Sequence, residues 1–477
     1  MGERALFHPN PDDPVTDMTT TTETAKEEIS ELTQLQSGAG WNAPSPHASL
    51  PEVYRSIHVP GRSAVWRRLL AFAGPGYLVA VGYMDPGNWA TDIAGGSVYC
   101  YRLLSVVLIS NFLAIFLQAL ALKLGIVTGR DLAQACRDAY RKPVSIMLWL
   151  SAEVGIVACD VAEVIGAAIA FNLLFHIPLL IGVIITALDV LLVLALQHKG
   201  FRYIEILVIT LIVTMMAIFA IEIVYSHPGW LGVAEGLLPT RDLVIDRGML
   251  YIALGILGAT VMPHNLYLHS SIVQTRRFGR SEADLRDSIR LAVTDSTVAL
   301  MLALFVNAAI LIVAAATFYR SGHHEVASIQ DAFRMLTPLL GVTAAAPLFA
   351  VALLASGQNS TLTGTLAGQI VLEGFTNFRL APWLRRLVSR CLAIIPAAVV
   401  IAVYGLQGTA SLLIFSQVVL SMQLSFAVIP LVQFTGDRNK MGVFVNGPWT
   451  RITGWFVAAL IAVLNGYLVF TQLFPPK

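Results

Sequence analysis

An aspartate, a proline, a glycine and an asparagine stand side by side, Asp85, Pro86, Gly87 and Asn88, inside the apolar run from Gly74 to Ala94. A carboxylate at the middle of a membrane helix costs about 2.5–3.5 kcal/mol on insertion scales, so Asp85 is expected to face a cavity or a partner. Proline lacks an amide hydrogen and glycine loosens the backbone. The spacing therefore predicts two half-helices that meet here and leave carbonyls free beside a carboxylate and an amide. That is a cation site in outline. The competing reading is an ordinary Pro-Gly turn between helices; it would bring a polar loop, whereas apolar residues continue on both sides.

A second interruption falls at Met262, Pro263, His264 and Asn265, inside the run from Gly255 to His269. Most membrane methionines are packing residues, but a thioether at the second break adds a soft ligand opposite the acidic half-site. Ala259 lies just ahead of Pro263, whose missing N–H frees carbonyls of the preceding turn. Asp85, Asn88, the Ala259 carbonyl and Met262 form a mixed set suited to manganese or iron. Calcium and magnesium prefer all-oxygen shells. Asp295, Asn307 and Gln417 are further intramembrane polar groups, of which only Gln417 is placed at the metal. His264 and His269 are each open to three roles: ligand, proton carrier or hydrogen-bond partner. A proton or gating role is the expectation for both. Glu153, Asp160 and Glu163 are spaced by seven and three and share a helix face. They predict a proton relay or a structural ion-pair network, with Arg386 and Arg390 as cationic partners.

Such residues need long apolar elements to hold them. Of 477 residues 56% are hydrophobic and 13% charged, with mean hydropathy +0.70, against about 45–50% and 25% in soluble chains. The fold class is an all-α polytopic membrane protein. A net charge of +1 with dispersed basic residues argues against a nucleic-acid partner. Cys100, Cys136, Cys159 and Cys391 have no CxxC spacing and read as buried free thiols.

A membrane span needs about 20 apolar residues. Eleven candidates cover 68–98, 103–126, 145–175, 179–197, 200–224, 247–275, 291–319, 344–372, 384–404, 408–432 and 452–473. Basic residues crowd alternate connections, from Arg62, Arg67 and Arg68 before the first span to Arg438, Lys440 and Arg451 before the last. The N-terminus is thus expected in the cytoplasm of a cell membrane protein and the C-terminus outside. The two interruptions sit five spans apart, an odd number, so the halves that carry them are inverted. Broken segments at corresponding places of inverted halves mark a transporter's midplane site and the LeuT-like five-plus-five fold, with the first and sixth helices broken. The expected organisation is a disordered cytoplasmic tail over 1–62, a ten-helix core over 63–440 and an eleventh helix with an external end over 441–477.

Three runs resemble the Nramp divalent metal transporters, in their bacterial manganese transporter branch. They are Met84 to Trp89, Met262 to Ser270, and the polar stretch Gln358-Asn359-Ser360-Thr361-Leu362-Thr363-Gly364-Thr365-Leu366-Ala367-Gly368-Gln369, and the likeness extends over about 60–475. The resemblance implies the LeuT-like fold, proton-coupled uptake of manganese or ferrous iron, and alternating access through the first and sixth spans. It implies metal binding by Asp85, Asn88, the Ala259 carbonyl and Met262, with Gln417 in some states. It also implies proton movement by His264, Asp160, Glu163 and a ninth-span arginine, matched by either Arg386 or Arg390. The chain departs from the family pattern at Ser425, where a proline is expected, and in the length of its N-terminal tail.

The expectation is a proton-coupled symporter of Mn2+ and Fe2+, not an enzyme, with no prosthetic group. Its partners would be the cargo ion, protons and the bilayer, and a monomer is expected. The alternative is an amino-acid or other organic-substrate symporter of the same fold, coupled to sodium or protons. It would want free half-helix N-termini for a substrate carboxylate, which an Asp and a Met in the breaks fit poorly. A membrane enzyme lacks support, since no nucleotide loop, nucleophile triad or HExxH run occurs.

Overall fold

A computed structural model describes residues 41, 50, 53–59, 64–186, 201–323, 326, 328–376 and 382–473. Almost all of these lie in helices. Those that build the site are α1 (Pro75–Gly82), α2 (Pro86–Tyr99), α3 (Leu104–Thr128), α4 (Lys142–Phe175), α5 (Phe201–Ser226), α6 (Arg247–Thr260), α7 (Pro263–Ile272), α8 (Glu282–Thr317), α9 (Ala345–Thr376), α10 (Pro382–Thr435) and α11 (Pro448–Leu473). Six helical stretches among the described residues are long and apolar enough to cross a membrane. Others stand where spans were expected, α9 over 344–372 and α11 over 452–473.

Local sequence sets where these helices begin and end. Ser281 accepts from Asp284 N and starts α8, with Glu282 and Asp284 in the first turn facing the positive end of the helix dipole. Gly129 closes α3 at φ 62°, a conformation that a Cβ disfavours. Along α5, Ile204, Val208, Ile212, Met215 and Phe219 are buried at helical spacing, while Tyr203, Ile206, Val213, Ile221 and Val224 are exposed. An apolar outer surface of that kind suits lipid and would be out of place in water.

The first and sixth expected spans are each divided, α1 from α2 and α6 from α7, with Pro86 and Pro263 opening the second halves. The first differs from its expected single start: a separate helix, Val65–Phe72, precedes α1, and Gly74 turns the chain between them at φ 145°. The ninth and tenth expected spans are two helices within α10, parted at Gly405, whose φ 60° and ψ −144° are non-helical. The fourth is described over Leu179–Ile185; the rest of it lies outside the described residues. α10 passes Ser425 without a non-helical residue.

The expectation of an unstructured tail over 1–62 needs correction at its C-terminal end. Ile57–His58 pairs in parallel with Arg276–Arg277, just beyond α7. Arg55 N donates to Gln274 O at 3.0 Å. Leu50 is buried, and the Trp41 ring packs on Phe434, 5.5 Å between centroids, with the Arg130 guanidinium over its face. A few apolar side chains in a polar segment suffice to dock it, and composition averaged over the whole segment hides them. Residues 1–40 lie outside the described part.

Candidate cation site between two broken helices

Asp85 is the N-cap of α2, with extended backbone angles of φ −70° and ψ 164°. Its Oδ1 accepts from Asn88 N at 2.8 Å and from Asn88 Nδ2 at 2.6 Å. A carboxylate placed there meets the unpaired amides of the first turn and the positive end of the helix. The break also frees carbonyls, and neighbouring helices take them up. Asn307 of α8 donates to Tyr83 O at 2.7 Å, and Ser356 of α9 donates to Met84 O at 2.5 Å. Trp89 Nε1 reaches the same Met84 oxygen at 3.2 Å.

At the second break Val261 and Met262 leave helical geometry, and Met262 precedes Pro263 at the start of α7. The two breaks meet at Asn88, whose Nδ2 also donates to Ala259 O at 3.0 Å. Asp85 Oδ1 and Ala259 O thus converge on one amide donor, accepting from the hydrogens of the same nitrogen. A cation at that point would find the same two oxygens, and rotating the Asn88 amide would add a third. Met262 is fully buried at the same break. Gln417 Oε1 is a buried oxygen that accepts no hydrogen bond, and the Gln417 side chain bears on the Asp85 carboxylate. Gln417 lies directly against the first break: a Cβ on Gly87 would be 1.7 Å from its Nε2. Only a glycine in this turn lets Gln417 approach. The donor set fits a divalent transition cation, with carboxylate, amide, carbonyl and thioether drawn from three elements.

The other expected residues divide into groups. His264 is buried on α7, with Nε2 3.7 Å from the Cys159 sulfur and Nδ1 without a hydrogen-bond partner. His269, one turn further along α7, pairs through Nδ1 with Gln118 Oε1 at 3.0 Å, and Gln118 donates to the Tyr83 hydroxyl at 2.8 Å. Glu163 and Arg390 form a buried ion pair, 3.5 Å apart, and Arg390 also donates to Thr361 Oγ1 at 2.9 Å. Asp160 lies beside Glu163: a Cβ on Gly364 would be 2.9 Å from Glu163 Oε1 and 3.2 Å from Asp160 Oδ1. Of the two arginines, Arg390 reaches Glu163; the Arg386 side chain lies outside the described part. Glu153 is half-buried two turns away and accepts from Trp149 Nε1 at 3.0 Å.

Asp295 is drawn elsewhere, accepting from Gly74 N at 3.3 Å and Gly76 N at 2.7 Å and so capping α1. Beside it Arg276 and Glu205 form a fully buried ion pair at 2.6 Å. Sequence reasoning missed Arg276, Glu205, Gln118, Thr361, Ser356 and Cys159. A glutamate at the edge of an apolar span was the available signal for Glu205. The expectation of buried free cysteines holds for Cys136 and Cys159 and needs correction for the others, since Cys391 is exposed and Cys100 half-buried.

Two broken helices whose gaps face each other inside a bundle define a membrane transporter of the inverted-repeat class. Mhp1, a nucleobase-cation-symport-1 family transporter, shares the fold at a TM-score of 0.58 and 15% identity over 90% of this chain and 97% of its own. A manganese transporter of Eremococcus coleocola is far more similar, with TM-score 0.84 and 42% identity over 90% of this chain and 93% of its own. A divalent metal cation transporter MntH of Listeria innocua is 61% identical over 448 residues, 94% of this chain and 99% of that protein. The family described as Natural resistance-associated macrophage protein-like, Nramp, matches residues 76–471. The chain belongs to the Nramp family and is a multi-pass membrane protein.

Proposed function

We propose that this protein imports divalent transition metal ions, Mn2+ and Fe2+, across the cell membrane by alternating access, in symport with protons. The observation that carries the reading is the convergence of Asp85 Oδ1 and Ala259 O, from two different broken helices, on the amide of Asn88. The cation would be held by Asp85, Asn88, the Ala259 carbonyl and Met262, with Gln417 joining from α10. Because α1 with α2 and α6 with α7 each contribute to one site, tilting either pair of half-helices changes which side the ion meets. Protons would leave the region of Asp85 and His264 by way of Asp160, Glu163 and Arg390, drawn inward by a membrane potential worth about 2.3 kcal/mol per charge per 100 mV. Eleven spans, a cytoplasmic N-terminus, an external C-terminus and a monomer complete the proposal. The matched proteins named for manganese and divalent metal cation transport support the cargo class.

The organic-substrate alternative is disfavoured by the first break itself. Asp85 already occupies the N-terminus of α2, accepting from Asn88 N, where a substrate carboxylate would bind.

The test is Mn2+ uptake into sealed liposomes with an acidic exterior and an inside-negative potential, for the wild type and Met262→Ala, with Ca2+ and Mg2+ as competitors. Saturable Mn2+ uptake indifferent to Mg2+, with Ca2+ competition emerging in the variant, supports the cargo and the role of the thioether. No Mn2+ movement, or equal competition by Mg2+, overturns the transition-metal reading.

A further inference from the structure

We infer that Cys159 is a positioning residue for proton coupling: its thiol ties the imidazole at the cation site to the buried carboxylate and arginine beyond it. The inference rests on the proton-coupled reading above. A buried cysteine is ordinarily a small apolar filler. Cys159, 2% exposed, instead has two polar neighbours, on two different helices. Its sulfur lies 3.6 Å from Glu163 Oε1, one turn along α4, and 3.7 Å from His264 Nε2 on α7. Glu163 continues to Arg390, and Arg390 to Thr361. The result is one line of contacts, His264, Cys159, Glu163, Arg390 and Thr361, that crosses from α7 through α4 to α10 and α9.

A thiol suits this junction because it both donates and accepts. With the imidazole in its Nε2–H tautomer, sulfur accepts from the ring N–H while its own S–H points at the carboxylate. The longer C–S bond and larger radius also let it touch two groups that a shorter side chain would leave apart. Space on the far side is equally specific. A Cβ on Gly364 would lie 2.9 Å from Glu163 Oε1, so only a residue without a side chain leaves the carboxylate its place there. With no thiol, the imidazole would lose its described contact on Nε2, and Glu163 would keep Arg390 as its described partner. The cation ligands would keep their own contacts, because Asp85, Asn88 and Ala259 are joined to one another without Cys159. The role therefore separates coupling from binding.

The experiment compares Cys159→Val with Cys159→Thr, two side chains of nearly one shape that differ by a hydroxyl. Full-length protein in sealed liposomes is assayed for Mn2+ uptake and Mn2+-dependent proton entry, and Mn2+ binding is measured by calorimetry on the same preparations. The expected result for Cys159→Val is a KM and a binding constant within about twofold of wild type and a proton-to-Mn2+ ratio reduced about tenfold, the scale of one lost hydrogen bond to a charged group. Cys159→Thr should restore the ratio to within about twofold. Equal ratios in Val, Thr and wild type overturn the inference while leaving proton coupling in place. Loss of Mn2+ binding together with proton entry in Val assigns the residue to packing and also overturns it. Wild-type Mn2+ uptake without proton entry removes the coupling reading itself and this inference with it. If Val does not fold, Cys159→Ala takes its place, with the same expected direction and the same overturning results.

Discussion

The two breaks are copies of one architectural device, yet their chemistry differs. At the first, the freed carbonyls of Tyr83 and Met84 are held by Asn307, Ser356 and Trp89, and Asp85 is held by the backbone and side chain of Asn88. At the second, Asn265 reaches Val79 O at only 3.4 Å, and Thr260 Oγ1, His264 Nδ1 and Asn265 Oδ1 are buried without a hydrogen-bond partner. Buried polar atoms left unpaired are a standing penalty of about 1–3 kcal/mol each. Asn307 Oδ1 and Gln417 Oε1 beside the first break are unpaired as well, so what makes it the more preorganised half is its clamped carbonyls and its fixed charge. The second holds polar capacity in reserve and a soft ligand, Met262, so it is the half suited to rearranging and to discriminating between ions.

Three sets of changes would break or sharpen that contrast. The largest effect is expected from Asp85→Asn, which removes the charge of the preorganised half. Losing one partner of a buried charge pair costs about 2–5 kcal/mol, so calorimetry should show Mn2+ binding weakened about a hundredfold or more. Binding within tenfold of wild type would mean that the charge of the site lies elsewhere.

An intermediate effect is expected from Gly87→Ala. The new methyl group would overlap Gln417 Nε2, and overpacking of this kind costs about 1–3 kcal/mol, read as a lowered melting temperature in detergent. Combining it with Gln417→Ala should recover most of the loss. Strict additivity of the two changes would show that Gln417 does not lean on the first break.

The smallest effects come from the polar clamps. Asn307→Ala leaves Tyr83 O unpaired and should lower stability by about 1 kcal/mol, within the range measured for hydrogen bonds in membrane proteins. Asn265→Ala, which removes the long contact at the second break, should lower it by no more than about half as much. Equal losses would erase the asymmetry drawn here, and a larger loss at Asn265 would reverse it.

Much of this site was legible in the residues alone. A proline and a glycine beside an aspartate in an apolar run announce a broken helix, and a second proline five spans later announces its inverted partner. The expected ligands lie on local signals of this kind, and the structure brings Asp85, Asn88 and the Ala259 carbonyl into direct contact and sets Gln417 against them. The acids of α4 were found by helical spacing, but their partner was not. Arg386 and Arg390 lie one turn apart on one helix, and spacing cannot tell which of two neighbouring residues meets a helix 227 positions away in sequence. Cys159 was passed over because a single thiol in an apolar span has the composition of a core residue. Trp41 was passed over because one aromatic in a polar tail has no period.

By itself the sequence determined that this chain is a helical membrane protein, that two of its spans are interrupted, and that a carboxylate and a thioether stand at the interruptions. These are local or periodic properties, set by transfer free energy and by what proline and glycine do to a backbone. Only the tertiary structure decided that Asn88 joins Asp85 to Ala259, that Gln417 enters over Gly87, and that His264, Cys159, Glu163 and Arg390 form one line. Those contacts join helices far apart in the chain. Helix rotation and depth set them, and these are fixed by the packing of all the spans together.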